Sequence, residues 1–294
     1  MNHKKANLRH LFTGICLFVV LPALAQDDLL KELEQSAEPV DTQIQATFKA
    51  SRIINGHSVE TRPEGVLDFL ISHRFGRLNS GAYEFFGLDQ SNIRLGLEYG
   101  ITDRLNIGIG RSSFQKVFDG YVKYKLLWQQ IGEKRMPVSV VWFSSATINT
   151  TRRPEEDINI DNRMSYTHQL LIGRKFGNDL SLQLTPTVVH RNLVLTTEDK
   201  NDIFALGFGG RYKITNHVAL NAEYFYRFNA DQDENTYNAI AIGFDIETGG
   251  HVFQLHFTNA QAMVESGFIP ETTGNFFEGD IHFGFNISRV FQLK

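Results

Sequence analysis

The chain has 294 residues, a formal net charge of −4 and 21% charged side chains. With acidic residues in excess, no basic stripe is available to neutralise phosphates, which excludes nucleic acid as a partner. The single cysteine, Cys16, lies within the first 25 residues. Beyond them there is no disulfide, thiolate or haem-attachment chemistry, and no cofactor is expected.

The N-terminus reads as a secretory signal. Lys4, Lys5 and Arg9 precede an apolar run over 11–24, and Ala23-Leu24-Ala25 gives the small-x-small cleavage pattern. The run is shorter than the ~20 residues of a spanning helix. Cleavage after residue 25 removes three positive charges and leaves a more acidic chain. Residues 27–38 are acidic and end at Pro39; residues 43–54 alternate weakly, and Asn55-Gly56 marks a turn. Residues 26–64 are expected to form a periplasmic or lumen-associated segment, with strand, lumen filler and periplasmic clasp all open.

From Gly65 to the end the pattern has period two. In 92–111, Ile93, Leu95, Leu97 and Tyr99 alternate with Arg94, Gly96, Glu98 and Gly100; beyond a polar turn, Leu105, Ile107 and Ile109 alternate with Asn106, Gly108 and Gly110. Each strand therefore has one apolar face and one polar or very small face. The same pattern recurs along the chain. Short turns are predicted at 102–104, 177–179, 215–217 and 248–250, and long polar connections at 76–91, 149–162, 192–201, 229–236 and 259–275. Such alternation is the signature of a membrane barrel with short periplasmic turns and long outer loops. Aromatics gather at strand ends (Tyr99, Trp128, Tyr212, Tyr224, Tyr226 and Phe228), as at a membrane–water boundary. The predicted fold is all-β: a transmembrane antiparallel up-and-down barrel of about twelve strands over 65–294, in the bacterial outer membrane and in contact with its lipid.

Five segments are more specific than a barrel requires: Ile54-Asn55-Gly56-His57-Ser58, Ile71-Ser72-His73-Arg74-Phe75-Gly76, residues 92–99, Ile101-Thr102-Asp103 and Asp119-Gly120-Tyr121-Val122-Lys123. Together they resemble a family of Bacteroidota outer-membrane β-barrels known as a domain of unknown function. The likeness covers nearly the whole chain after the signal. It implies a barrel and an outer-membrane address, and no activity.

Catalytic chemistry finds little support. A barrel lipase needs a serine beside a histidine base on the lipid face, but Ser72-His73 and His57-Ser58 are adjacent and point to opposite faces of a strand. No histidine pair has helical metal spacing, and Asp231-Gln232-Asp233-Glu234-Asn235 lacks the glycine and terminal glutamate of a calcium loop, so it reads as a solvated acidic loop. The candidate site is the lumen face: Arg74, Arg94, Glu98, Lys123, Lys125, Arg211, Lys213, Glu223, Arg227, Asp245, Glu247 and Asp280, with His256 and His282 on the last two strands. Either these charges pair and plug the interior, or they line an aqueous passage and select solutes. The expected function is a passive channel or transporter for small hydrophilic solutes. The alternative is a non-conducting barrel that docks a periplasmic protein, with a barrel enzyme third.

Overall fold

The computed structural model describes residues 41–152, 159–194, 199–229, 236–249 and 251–293. The signal segment, the acidic stretch 27–38 and the acidic loop 231–235 lie outside the described residues. The chain divides into two compact units. One comprises Met1–Thr42 and Ile131–Arg135, where the Lys134 backbone N–H donates to Asp41 Oδ1 at 2.9 Å. The other comprises Gln43–Gln130 and Met136–Lys294 and contains the barrel.

Twelve antiparallel strands close on themselves: β1 (Val66–Arg77), β2 (Ser91–Gly100), β3 (Leu105–Ser112), β4 (Val117–Leu127), β5 (Ser139–Asn149), β6 (Met164–Phe176), β7 (Leu180–Arg191), β8 (Asp202–Lys213), β9 (Val218–Arg227), β10 (Ala239–Thr248), β11 (His251–Thr258) and β12 (His282–Gln292). Each pairs with the next in sequence, and β12 returns to β1, with Ile287 opposite Ile71. Closure pairs every edge, the only way a sheet can satisfy its backbone in lipid. No helix among the described residues is long and apolar enough to cross a membrane; this chain crosses with strands.

The period-two pattern becomes two faces. Outward residues such as Leu95, Ile109, Phe208 and Ile242 are exposed large apolar side chains, whereas inward neighbours such as Arg94, Glu98 and Asn221 are buried. The turn alternation holds with two departures. Ser113–Lys116 is a tight connection at the long-loop end, with Gln115 and Lys116 in the left-handed region. At the opposite end, the link between β4 and β5 runs over 128–138.

The interior is filled by two further pieces of chain. Residues 47–59 enter from the short-turn end as a small hairpin. Arg52 and His57 form an antiparallel bridge, and the Ile53 N–H donates to the Gly56 carbonyl at 2.9 Å. From the long-loop end, residues 259–274 fold inward around the short helix α1 (Glu265–Phe268), all four of whose residues are buried.

Candidate functional site

Much of the lumen wall is polar, and it is dry. Asp68, Glu98, Asn106, Lys123, Thr167, His256 and Thr258 are all at 0% exposure. An open pore would leave such groups wet. They are dry because the hairpin and the loop displace water. The N-terminal segment supplies partners to Asp68 (Arg62 at 2.7 Å), Asn106 (Arg62 O at 3.2 Å), Lys123 (Glu60 O) and Thr258 (Asn55 Nδ2 at 3.3 Å).

The tip of the hairpin is held by one carboxylate. Glu223, on β9, accepts the backbone N–H groups of Ile54 (3.2 Å), Asn55 (2.7 Å) and Gly56 (3.2 Å). Three successive amides converging on one anion form a backbone nest. Other strands hold the remaining backbone. Gln183 on β7 receives the Val59 N–H and donates to the His57 carbonyl, both at 2.8 Å. Gln254 on β11 donates to Ile53 O at 2.8 Å, and Asn286 on β12 donates to Ile54 O at 2.9 Å. Lys123 Nζ donates to Glu60 O at 2.5 Å, and Arg74 to Asn55 Oδ1 at 2.7 Å and to the Ala260 carbonyl. Arg74 therefore touches both fillers.

The apolar side of the hairpin has its own seat. Phe48, Ile53 and Val59 cluster with Tyr121, Val141, Phe143 and Leu171 from the wall. This explains why β5 is apolar on both faces: its inner face receives the hairpin. Fit is close enough to require glycines. A Cβ on Gly173 would lie 2.7 Å from Val59 Cγ2, and one on Gly209 would collide with Ile53 Cδ1.

The loop is seated differently. Ala260, Ala262, Phe268 and Ile269 pack on Val189, Ile203, Ala205, Phe225 and Ala239. Phe268 meets Phe225 edge-on, with ring centres 5.1 Å apart. Polar contacts add to this seat: Thr147 Oγ1 to Ser266 Oγ at 2.8 Å, the Tyr237 N–H to Thr272 O at 2.7 Å and Arg191 to Glu271 at 3.6 Å. The two fillers meet at a buried ion pair, Arg52 Nη1 to Glu265 Oε1 at 3.3 Å, with His57 Nε2 3.8 Å from the same oxygen. His57 lies between Tyr121 and Phe143, at centroid distances of 4.6 and 4.5 Å. Burial, then the positive charge of Arg52, holds its pKa well below the usual histidine value. Burial pushes the Glu265 carboxyl up, and Arg52 opposes that shift.

The other sequence-predicted residues fall into several groups. Arg94 makes a bidentate pair with Asp119, at 2.9 and 2.5 Å. Lys123 pairs with Glu98 at 3.6 Å, and Tyr121 donates to the same carboxylate at 3.1 Å. Arg211 bridges Asp245 (3.4 Å) and Glu247 (2.6 Å), and Glu247 also reaches Lys49 of the N-terminal segment at 3.0 Å. Lys125 is buried, with Nζ 5.9 Å from the Trp128 ring centre. It lines a cavity of about 360 Å³ at the short-turn mouth together with Glu60, Asp103 and Trp128. Lys213 is half-buried at the end of β8, and Arg227 donates to Pro270 O at 3.2 Å beneath the loop.

One position differs from the lumen-wall reading. Asp280 precedes β12 and sits at the rim, paired with Arg77 at 3.2 Å and Asn79 at 2.7 Å. His256 and His282 do not face one another: His256 is opposite Gly284, while His282 Nδ1 turns to the Phe75 carbonyl at 2.8 Å. Among the described residues, no group of three or more His, Cys, Asp or Glu is placed to hold a metal ion.

The sequence reading missed the uncharged polar groups that grip the hairpin (Gln183, Gln254, Asn286) and the carboxylate of Glu265. Inward Gln and Asn on otherwise small-residue faces were the available signal. It also missed a lipid-facing pair, Ser144 Oγ to His168 Nδ1 at 2.9 Å, because the partners sit opposite each other on β5 and β6 rather than on one strand.

No curated protein sequence matches the chain. Among solved structures it is similar to the NanC porin, with 11% identity over 78% of this chain and 99% of that one and a TM-score of 0.47. It is also similar to the KdgM porin (10% identity, 77% and 99% covered, TM-score 0.45) and to an outer-membrane channel from Pseudomonas putida F1 (15%, 79% and 98%, 0.41). The family model described as a membrane bound beta barrel domain (DUF5777) matches residues 48–291, from the lumen hairpin to the closing strand. The chain belongs to this family of membrane-bound β-barrels.

Proposed function

We propose that this barrel is an outer-membrane channel for small hydrophilic solutes, held shut at rest by its own residues 47–59. The observation that supports this reading most is the grip of Glu223 on three backbone amides of the hairpin tip. Together with Gln183, Gln254 and Asn286 it forms a seat that water can satisfy once the hairpin leaves. Opening then costs the burial of Phe48, Ile53, Ile54 and Val59, about 1.5–3 kcal/mol each, a cost that a periplasmic partner gripping the released segment would offset.

The reading includes export by a cleaved signal peptide, a Bacteroidota source and a non-enzymatic role. The Ser144–His168 pair fits the last point. It lies on regular strands whose backbone N–H groups are used in the sheet, leaving no donors for an oxyanion. Single-channel recording in a planar bilayer tests the proposal. The intact mature chain should be silent or open rarely, and deletion of residues 43–61 should give steady conductance. Charge swaps at Lys123 or Arg211 should then shift the ion selectivity of the deletion variant. A deletion variant that is folded and silent would favour a permanently filled barrel that docks a periplasmic protein.

A further inference from the structure

The lipid-facing wall is unevenly covered, and its gap has the form of a binding trough. Outward side chains on β6–β10 fall into rows along the hydrogen-bonding direction. One row runs Ile172, Leu184, Phe208, Tyr224, Ile240, and another runs Phe176, Leu180, Tyr212, Leu220, Phe244. Every strand contributes a large side chain to both. The row between them runs Arg174, Leu182, Gly210, Ala222, Ile242. At its centre, two adjacent strands offer no side chain and a single methyl group.

Low bulk at Gly210 and Ala222, beside the first row, leaves a cavity of about 790 Å³. It is lined by all of the first row and all of the middle row, with Phe176 alone from the other flanking row, and it reaches to Val138 at one end and to Phe276 and Phe277 at the other. Its lining crosses five strands, about 19 Å at ~4.8 Å spacing, while the floor without bulk, Gly210 and Ala222, spans two of them, between Leu182 and Ile242. Barrel strands tilt by ~35–45°, so a row across them climbs through the membrane. Its low end, Arg174, is three residues from the short turn at Gly177; its high end, Ile242, is the fourth residue of β10, next to a long loop. The trough thus runs from the level of one headgroup layer toward the opposite rim.

Arg174 supplies the charge. Its guanidinium lies 4.7 Å from the Phe176 ring centre, its Nε is buried without a hydrogen-bond partner, and among the described residues it belongs to no ion pair. A guanidinium on a lipid-facing wall is costly unless an anion meets it, and phosphate suits its forked donors.

We propose that this trough binds one glycerophospholipid of the leaflet at the short-turn end. An acyl chain lies over Gly210 and Ala222 along the row from Ile172 to Ile240, and the phosphate sits against Arg174. The occupant is a lipid because the trough is almost wholly apolar, open to the bilayer along its length and charged only where headgroups lie. The inference is independent of whether the lumen conducts.

Native mass spectrometry of the full mature chain, released from detergent after equilibration with phosphatidylethanolamine and phosphatidylglycerol, tests it. The wild-type barrel should retain one phospholipid. Ala222→Phe, which fills the trough from the lipid side, should lower retention about tenfold, and the milder Ala222→Leu should follow in the same direction. Arg174→Gln should lower it several-fold by removing the phosphate contact. Ile109→Phe, on the outer face of β3, should leave it unchanged, and millimolar inorganic phosphate should not displace the lipid. Heat-dependent gel mobility shows which variants are folded. Equal retention by folded Ala222 variants, or by Arg174→Gln, would overturn the proposal, as would a wild-type barrel that carries no lipid.

Discussion

The two pieces of chain that fill the lumen are held by different physics. The hairpin over 47–59 is suspended by hydrogen bonds from side chains on at least five strands, and its tip sits on one carboxylate. The loop around α1 is seated by apolar contact, with Phe268 and Ile269 fully buried against Phe225 and its neighbours. Hydrogen bonds to a protein wall are exchanged for hydrogen bonds to water at a net cost of only about 0.5–1.5 kcal/mol each. Apolar burial has no such substitute. The hairpin backbone is met by wall side chains that water can replace, so the hairpin is the candidate gate; the loop joins β11 to β12 and packs on Phe225, so it is part of the barrel.

The largest expected difference comes from deleting each piece. Removing residues 43–61 should leave a folded barrel with heat-dependent gel mobility. Removing residues 261–271 strips the apolar seat of its cover and should cost several kcal/mol, at about 1.5–3 kcal/mol per large side chain. Urea titration of the two variants would read the contrast directly; equal losses would abolish it.

Next comes the pair that joins the fillers. Glu265→Ala leaves the buried Arg52 guanidinium with the Asn55 carbonyl and without its carboxylate, a loss of about 3–5 kcal/mol. The double variant Glu265→Ala/Arg52→Met should recover most of that loss, which a thermal or urea melt of both will show. Smaller again is Glu223→Gln. It removes the charge that three amides share and should weaken hairpin seating by about 2 kcal/mol, roughly 30-fold in the closed-to-open ratio. Single-channel open probability should rise while the urea midpoint of the barrel stays put.

The smallest effect is titration. His57 is held neutral when the hairpin is seated, its pKa well below the ordinary ~6.5 because of burial and Arg52. A released hairpin takes up the proton at its ordinary pKa. The seated state is therefore fully favoured above about pH 6.5 and loses ground as the pH falls from there toward the seated pKa. Glu265, whose carboxyl is raised by burial, acts in the opposite sense: its protonation favours the seated state as the pH falls. His57→Phe keeps the ring between Tyr121 and Phe143 and removes only the histidine contribution. Open probability measured between pH 7 and 5 should rise less in His57→Phe than in the intact chain; parallel curves would remove His57 from the gate.

How much of this was legible beforehand depended on the range of the interaction. Alternation such as Ile93-Arg94-Leu95 acts between nearest neighbours, so strands, faces, most turns and the count of twelve could all be read from order alone. The Asn55-Gly56 turn was equally local. Register pairs such as Ser144 with His168, or Arg174 with Leu182 and Gly210, depend on where one strand stops relative to the next, and no single strand carries that information. Nor did composition reveal the fillers. Val141 and Phe143 made β5 apolar on its inner face, yet only the packed barrel brings Val59 and Ile53 to meet them. The sequence by itself determined a membrane barrel with a charged inner wall, because periodicity needs no partner to be recognised. The tertiary structure alone decided that this wall is covered, by which residues and through which contacts, because contacts between positions 223 and 55, or 52 and 265, exist only once the sheet has closed.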